Sequence, residues 1–334
     1  MSWIRVGFLL GGWFGASWAG AHHAATGLYD GSSIGEVEGE ITSIFWRNPH
    51  VRLRIERDGE AGPEEWAVEF GSVNTLERIG VSSDMVQVGD RVKVSGRLGR
   101  DGLKALFADS VTLSDGRELP LNASVRSRYG VTERAIRDAL DTDPDLRADI
   151  FRVWLPNERP NTGAGTTRYP LTEAGRAAQA AWNPADDPAL RCIPPGLPTA
   201  MDNPYPIQFR DQGDTIILLL EEWDGVRAIH MNGVRSPEQT DSRMGHSVGR
   251  WDANTLIVET TDIGWRYIDD LGTPQSEDAV IVERFALDAD GTRLAWEARI
   301  TDAVNFTEPV VMEGEWIWLP GHEIKPFNCT LSAE

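Results

Sequence analysis

The feature that most constrains this chain is the punctuation of its C-terminal part. Gly213–Asp214, Asp224–Gly225, Asn232–Gly233 and Asp290–Gly291 each sit between short runs rich in β-branched, leucine and aromatic residues. Gly, Asn and Asp tolerate left-handed backbone, so such pairs turn one strand into the next. The runs at 207–210, 215–222, 227–231, 250–251, 255–262, 279–287, 293–302 and 310–319 are short for helices, and several alternate in polarity. In the clearest case Arg293, Ala295, Glu297 and Arg299 share one face, while Leu294, Trp296, Ala298 and Ile300 share the other. About seven or eight antiparallel strands must hide their edges, and closing into a lipocalin-like barrel over 205–334 does so.

A second β unit is expected over 22–122. Strands at 35–46, 50–56 and 65–70, a short helix at 73–79, then strands at 90–98 and 103–113 follow the layout of a small OB-like barrel. Asp58–Gly59 and Asp101–Gly102 supply its turns. Between the two units, 123–204 reads as a helical and irregular connector. Thr132 and Thr172 are placed to cap helices at 132–140 and 171–182, and 155–170 is a Pro-, Asn-, Gly- and Thr-rich loop. The expected fold class is therefore mainly β: an OB-like barrel and a lipocalin-like barrel joined by a helical segment.

The first 21 residues fit neither unit. Arg5, an apolar stretch from Val6 to Trp18, and small residues at Ala19 and Ala21 make the pattern of a cleaved export signal. The apolar stretch is shorter than the about 18 residues that mark a spanning helix, and no later run reaches that length, so no integral span is expected after cleavage. A periplasmic or secreted location follows. In an oxidising compartment Cys192 and Cys329, the only cysteines of the 334 residues, are expected to pair. With 52 acidic against 32 basic side chains the chain lacks the basic footprint of a nucleic-acid binder. The acidic run Glu221–Glu222–Trp223–Asp224 reads as a solvated face. A small molecule is the partner class left, and oligomeric state stays open.

His22–His23, Trp46–Arg47–Asn48–Pro49–His50, Trp66, Glu69 and Gly89–Asp90–Arg91–Val92 together resemble a family of exported proteobacterial proteins of unknown function, with an HH…W-x-N-P-H…GD-x-V pattern. The resemblance covers about residues 22–120. Further on, Cys192–Ile193–Pro194–Pro195–Gly196, Gly245–His246–Ser247–Val248–Gly249–Arg250–Trp251, Thr255–Leu256–Ile257–Val258 and Glu283–Arg284–Phe285 are similar to a set of uncharacterised exported proteins. Asn232 and Ala253–Asn254 depart from that second pattern, where an acid-plus-glycine pair is usual. The resemblances imply location and architecture and no particular activity.

Three groups of residues carry chemistry. Cleavage after Ala21 would expose the amine and imidazole of His22, with His23 beside it and His50 as a further nitrogen; cleavage after Ala19 would give Gly20–Ala21–His22. Either set suits copper, which favours tetragonal nitrogen ligation. The alternative is a frayed terminus that binds nothing. In the C-terminal unit His246, with Asp262 or Glu283 as carboxylate and Arg250 for charge relief, could perform acid–base chemistry, since imidazole titrates near neutrality. Trp223, Arg227, His230, Trp251 and Trp296 could instead line a pocket for an apolar or aromatic ligand. Binding is the first reading; acid–base catalysis and copper binding are its alternatives.

Overall fold

In a computed structural model, residues 28–121, 130, 132–142, 150–157, 169–183, 186–233 and 242–331 are described. The export pattern, His22 and His23 fall outside them.

The N-terminal unit has six strands: β1 (Tyr29–Phe45), β2 (Arg52–Gly59), β3 (Gly62–Glu69), β4 (Arg91–Gly99), β5 (Ala105–Thr112) and β6 (Glu118–Pro120). They lie in the order β3-β2-β1-β4-β5-β6, and a parallel pairing of β3 with β5 completes a ring of the first five. That circuit, with helix α1 (Val73–Arg78) between β3 and β4, is the expected OB-like layout. Alternation drives it. On β1 Val37 and Ile41 are buried, whereas Glu36 and Glu38 face water and meet Lys93 and Arg91 across the strand pair. Helix α1 starts where Ser72 Oγ accepts from Thr75 N at 3.1 Å.

The connector supplies helices α2 (Glu133–Thr142) and α3 (Glu173–Ala180). Their predicted caps are present: Thr132 Oγ1 accepts from Ala135 N and Thr172 Oγ1 from Gly175 N. It also supplies something the sequence pattern concealed. Val153–Pro156, at the edge of the expected loop, is strand β7 of the C-terminal barrel.

That barrel continues with β8 (Ile207–Asp211), β9 (Thr215–Leu220), β10 (Gly225–His230), β11 (His246–Asp252), β12 (Thr255–Thr261), β13 (Val280–Leu287), β14 (Arg293–Thr301) and β15 (Val310–Trp318). β7 sits between β15 and β8 and closes a ring of nine strands. Strict up-and-down alternation cannot close a ring with an odd number of members, so one neighbouring pair must run parallel. Here it is β10 with β11, through Ile229↔Ser247 and His230↔Val248. Inward residues such as Trp154, Phe209, Phe285, Trp296 and Trp316 form one continuous apolar core. The outward positions of β12 to β14 carry Glu259, Arg284, Glu297 and Arg299, the reverse of the apolar exterior of a membrane-spanning barrel. No helix among the described residues is long and apolar enough to cross a membrane.

The two units are fastened by the chain's last described residues. Glu221, 0% exposed, takes both guanidinium nitrogens of Arg78 at 2.6 Å, the Asn74 amide at 3.1 Å and Lys325 N at 3.0 Å. The acidic run is thus a buried fastener at this position, because the tail and α1 cover it. Asn48 donates to Phe327 O and accepts from Val73 N, and it bridges to Cys329. Asp224 accepts from Phe327 N and Asn328 N. Cys192 and Cys329 form the expected disulfide, across a sequence separation of 137.

Reducing that bond frees a long loop in the unfolded chain. A Cys192→Ala/Cys329→Ala variant should lose about 4–5 kcal/mol of unfolding free energy by the loop-entropy relation, read by urea titration. A loss below about 1 kcal/mol would mean that the unfolded chain gains little freedom from the cut, against that relation.

Candidate functional site

Alternation on five neighbouring strands brings polar side chains to one place in the barrel interior. Arg227 on β10 is 0% exposed and Glu283 on β13 is 1% exposed. Arg227 Nη2 donates to Glu283 Oε2 and, at 2.8 Å, to Thr260 Oγ1, while Nε donates to Ser247 Oγ at 2.9 Å. The two hydroxyls lie 2.9 Å apart, and Trp296 Nε1 donates to Glu283 Oε1 at 3.0 Å. A charge this deep in an apolar core is tolerated only when paired and hydrogen-bonded. The pairing is nevertheless incomplete. Arg227 Nη1 and Trp316 Nε1 are both buried without an acceptor among the described residues. Trp316 packs edge-on to Trp296, ring centroids 5.6 Å apart.

Of the residues expected to form a site, Arg227, Glu283 and Trp296 are brought together. His230 and His246 form a second group. They have the opposite parity to Arg227 and Ser247, so their rings lie outside the interior on the parallel pair, stacked with centroids 5.3 Å apart. His246 pairs in register with Thr261, and Asp262 follows with left-handed backbone, accepting from Thr261 Oγ1 at 2.9 Å. Gly245 is required at the preceding turn: its φ is +63, and a Cβ there would lie 2.7 Å from Thr261 O. His246 and Glu283 therefore belong to different faces and do not form an acid–base pair. Arg250 points outward and is exposed. Trp251 is 43% exposed and meets Phe151 edge-on. Trp223 lies outside the barrel interior, packed on Phe327 in the cluster around the disulfide.

Thr260 and Trp316 are not among the site residues expected from the sequence, although both were findable. Thr260 follows Leu256 and Val258 on the inward parity of β12, where a hydroxyl is out of place unless it has a polar partner. Trp316 follows Val310 and Met312 on β15 in the same way.

In the N-terminal unit, His50 Nδ1 lies 2.8 Å from Phe70 O and 3.2 Å from Glu69 Oε1. Tyr29 OH donates to Glu69 Oε2 at 3.1 Å. Burial pushes the Glu69 carboxyl above its ordinary range, against the pull of His50, the Tyr29 hydrogen bond and Arg52. Burial and the adjacent Glu69 raise the Tyr29 phenol. Among the described residues no group of three His, Cys, Asp or Glu side chains could hold a metal. Residues 14–107 match the model of a family of unknown function, DUF6152. The DUF6152 stretch contains the Asn48–Pro49–His50 turn, Glu69 and α1, and ends within β5. The whole closed barrel, with its Arg227–Glu283 network, lies outside it. No curated protein matches the chain.

Two outcomes are expected. Arg227→Met leaves Glu283 buried without its cation and should cost about 3–5 kcal/mol, whereas Arg227→Met/Glu283→Gln should recover part of it, as a denaturation double-mutant cycle would read. In the DUF6152 unit, the raised Glu69 pKa means its stabilising contribution is full below the ordinary carboxyl range and is lost as pH rises through the folded value. Melting temperatures of Glu69→Gln followed across that window should lack this fall; an unchanged profile would assign the pH dependence elsewhere.

Proposed function

We propose that the chain is an exported protein whose C-terminal barrel binds a small apolar or aromatic molecule carrying a hydrogen-bond-accepting oxygen, with Arg227 and Trp316 as its donors. The observation that carries this reading is two orphaned donors in the barrel core, Arg227 Nη1 on the residue paired with Glu283 and Trp316 Nε1 on the ring packed against Trp296. Buried N–H groups without acceptors cost free energy, and an oxygen supplied from outside the protein would recover it. The aromatic walls around them favour an apolar body on that oxygen. Export is supported by the charged start, short apolar stretch and small residues of the first 21 positions, and by the disulfide.

The acid–base alternative loses Glu283, which occupies the other face of the wall from His246, and keeps Asp262, which follows the register partner of His246. The copper alternative depends on His22 and His23, which lie outside the described residues, and His50 Nδ1 already faces Phe70 O and Glu69.

The test uses 2-naphthoate as probe and naphthalene as its oxygen-free counterpart. The naphthoate should raise the melting temperature in a concentration-dependent way, and naphthalene should do so much less. Trp316→Phe removes one donor while keeping an aromatic ring, and should weaken naphthoate binding roughly tenfold, the worth of one good hydrogen bond. A crystal structure from naphthoate-soaked crystals with only water on Arg227 Nη1 and Trp316 Nε1, together with unmoved melting curves, would overturn the reading.

A further inference from the structure

A second concave site lies outside the barrel interior, where the connector meets the long loop between β12 and β13. It is a cleft of about 300 Å³, counting space open to solvent, and Trp182, Asp187, Trp265, Tyr267, Asp269 and Asp270 line it. Three aromatic rings and three carboxylates face it, and no Lys or Arg is among the described residues that do.

The walls are held in place from behind. Trp265 Nε1 donates to Thr199 Oγ1 at 3.0 Å, and that hydroxyl donates to Tyr267 O at 3.1 Å. Gln275 Nε2 donates to Trp265 O and Leu197 O, both at 2.9 Å. Trp182 lies flush on Gly272, whose φ is +72 and where a Cβ would stand 2.1 Å from the indole. The rings of Trp182 and Trp265 both pack edge-on to Tyr267, with centroids 4.6 and 5.8 Å from it. This gives differently oriented π faces around one space, a geometry that attracts a cation.

The carboxylates are not equivalent. Asp269 is used within its loop, accepting from Leu271 N, Thr273 N and Thr273 Oγ1. Asp187 is 7% exposed, and its Oδ1 accepts from Ala189 N at 2.9 Å. Its Oδ2 has no donor among the described residues. Asp187 is thus held more than nine-tenths buried, lines the aromatic cleft, and keeps one oxygen that the described residues do not use.

We infer that this cleft binds an organic cation of the quaternary or fully methylated ammonium class, with Asp187 as counter-ion and Trp182, Trp265 and Tyr267 as the cage. A primary ammonium keeps three N–H donors that seek acceptors or water, whereas the walls here include three aromatic rings. A methylated ammonium needs none and spreads its charge over an apolar surface that suits the rings. The site is independent of the barrel reading: its residues, its charge and its ligand all differ from those around Arg227.

Choline is the probe, with 3,3-dimethylbutan-1-ol as the uncharged analogue of the same shape, in calorimetric titrations of the full chain. Choline should bind saturably and at least tenfold more tightly than the alcohol. Asp187→Asn should weaken choline at least tenfold while the melting temperature stays level or rises, because the amide keeps the bond from Ala189 N and removes a buried charge. Tyr267→Leu should weaken it as well. Gly272→Ala, which pushes the Trp182 ring out of place, should do the same without touching any lining residue. Equal binding of choline and the alcohol, choline binding unchanged in Asp187→Asn, or no saturable heat with either choline or benzyltrimethylammonium would each overturn the inference. The naphthoate experiment reads neither of these outcomes.

Discussion

The contact on which the arrangement of this molecule depends is the buried carboxylate of Glu221. It sits at the turn from β9 to β10 and is reached from three directions, by Arg78 and Asn74 of the N-terminal unit and by the backbone of Lys325 in the tail. None of these groups could be buried alone without a large desolvation cost. Together with Asn48, Asp224 and the disulfide they make the boundary between the two β units a hydrogen-bonded joint rather than an apolar face. The Asn-Pro-His turn takes part in this joint: Asn48 bonds the backbone of the tail at Phe327 as well as Val73 and Asn74 of its own unit.

A second constraint operates inside the large barrel. Nine strands can close only with at least one parallel pair, and the pair found here carries His230 and His246 on its outer side and Arg227 and Ser247 on its inner side. Such a seam has slanted, evenly spaced hydrogen bonds and needs a longer crossover than a hairpin. The inward polar residues gather around it, with Arg227 tied to Thr260 and Glu283 across the following strands. Polar chemistry in this barrel is thus concentrated where its regular pattern is broken.

Much of this architecture was legible in the residues. Period-two alternation and turn dipeptides located most strands from β8 to β15 and the OB-like circuit, because those signals are local; of β11 (His246–Asp252) only 250–251 was expected. β7 was hidden because all four of its residues are buried, on one side in the barrel core and on the other against Ile317 and Leu319, so Val153–Trp154–Leu155–Pro156 does not alternate. Missing it meant missing the odd strand count and with it the parallel seam. Glu221 resembled a surface acid for a related reason: its partners lie more than a hundred residues away in sequence, and nothing nearby announces them. Arg227, Glu283 and Trp296 could be named as site residues by type, but their grouping, and the exclusion of His246 from it, follows from strand parity that only becomes definite once register is fixed.

For the folding chain, the tail at 325–331 acts as a late condition. Arg47 meets Leu331 across 284 positions, and Asn48 meets Phe327 across 279. Contacts of such separation form slowly, because a long loop must close before they return anything. Until they form, Asn48 lacks Phe327 O, Asn74 lacks Pro326 O and Glu221 lacks Lys325 N. Two β barrels that look separable by topology thus share one closing segment, which contacts both.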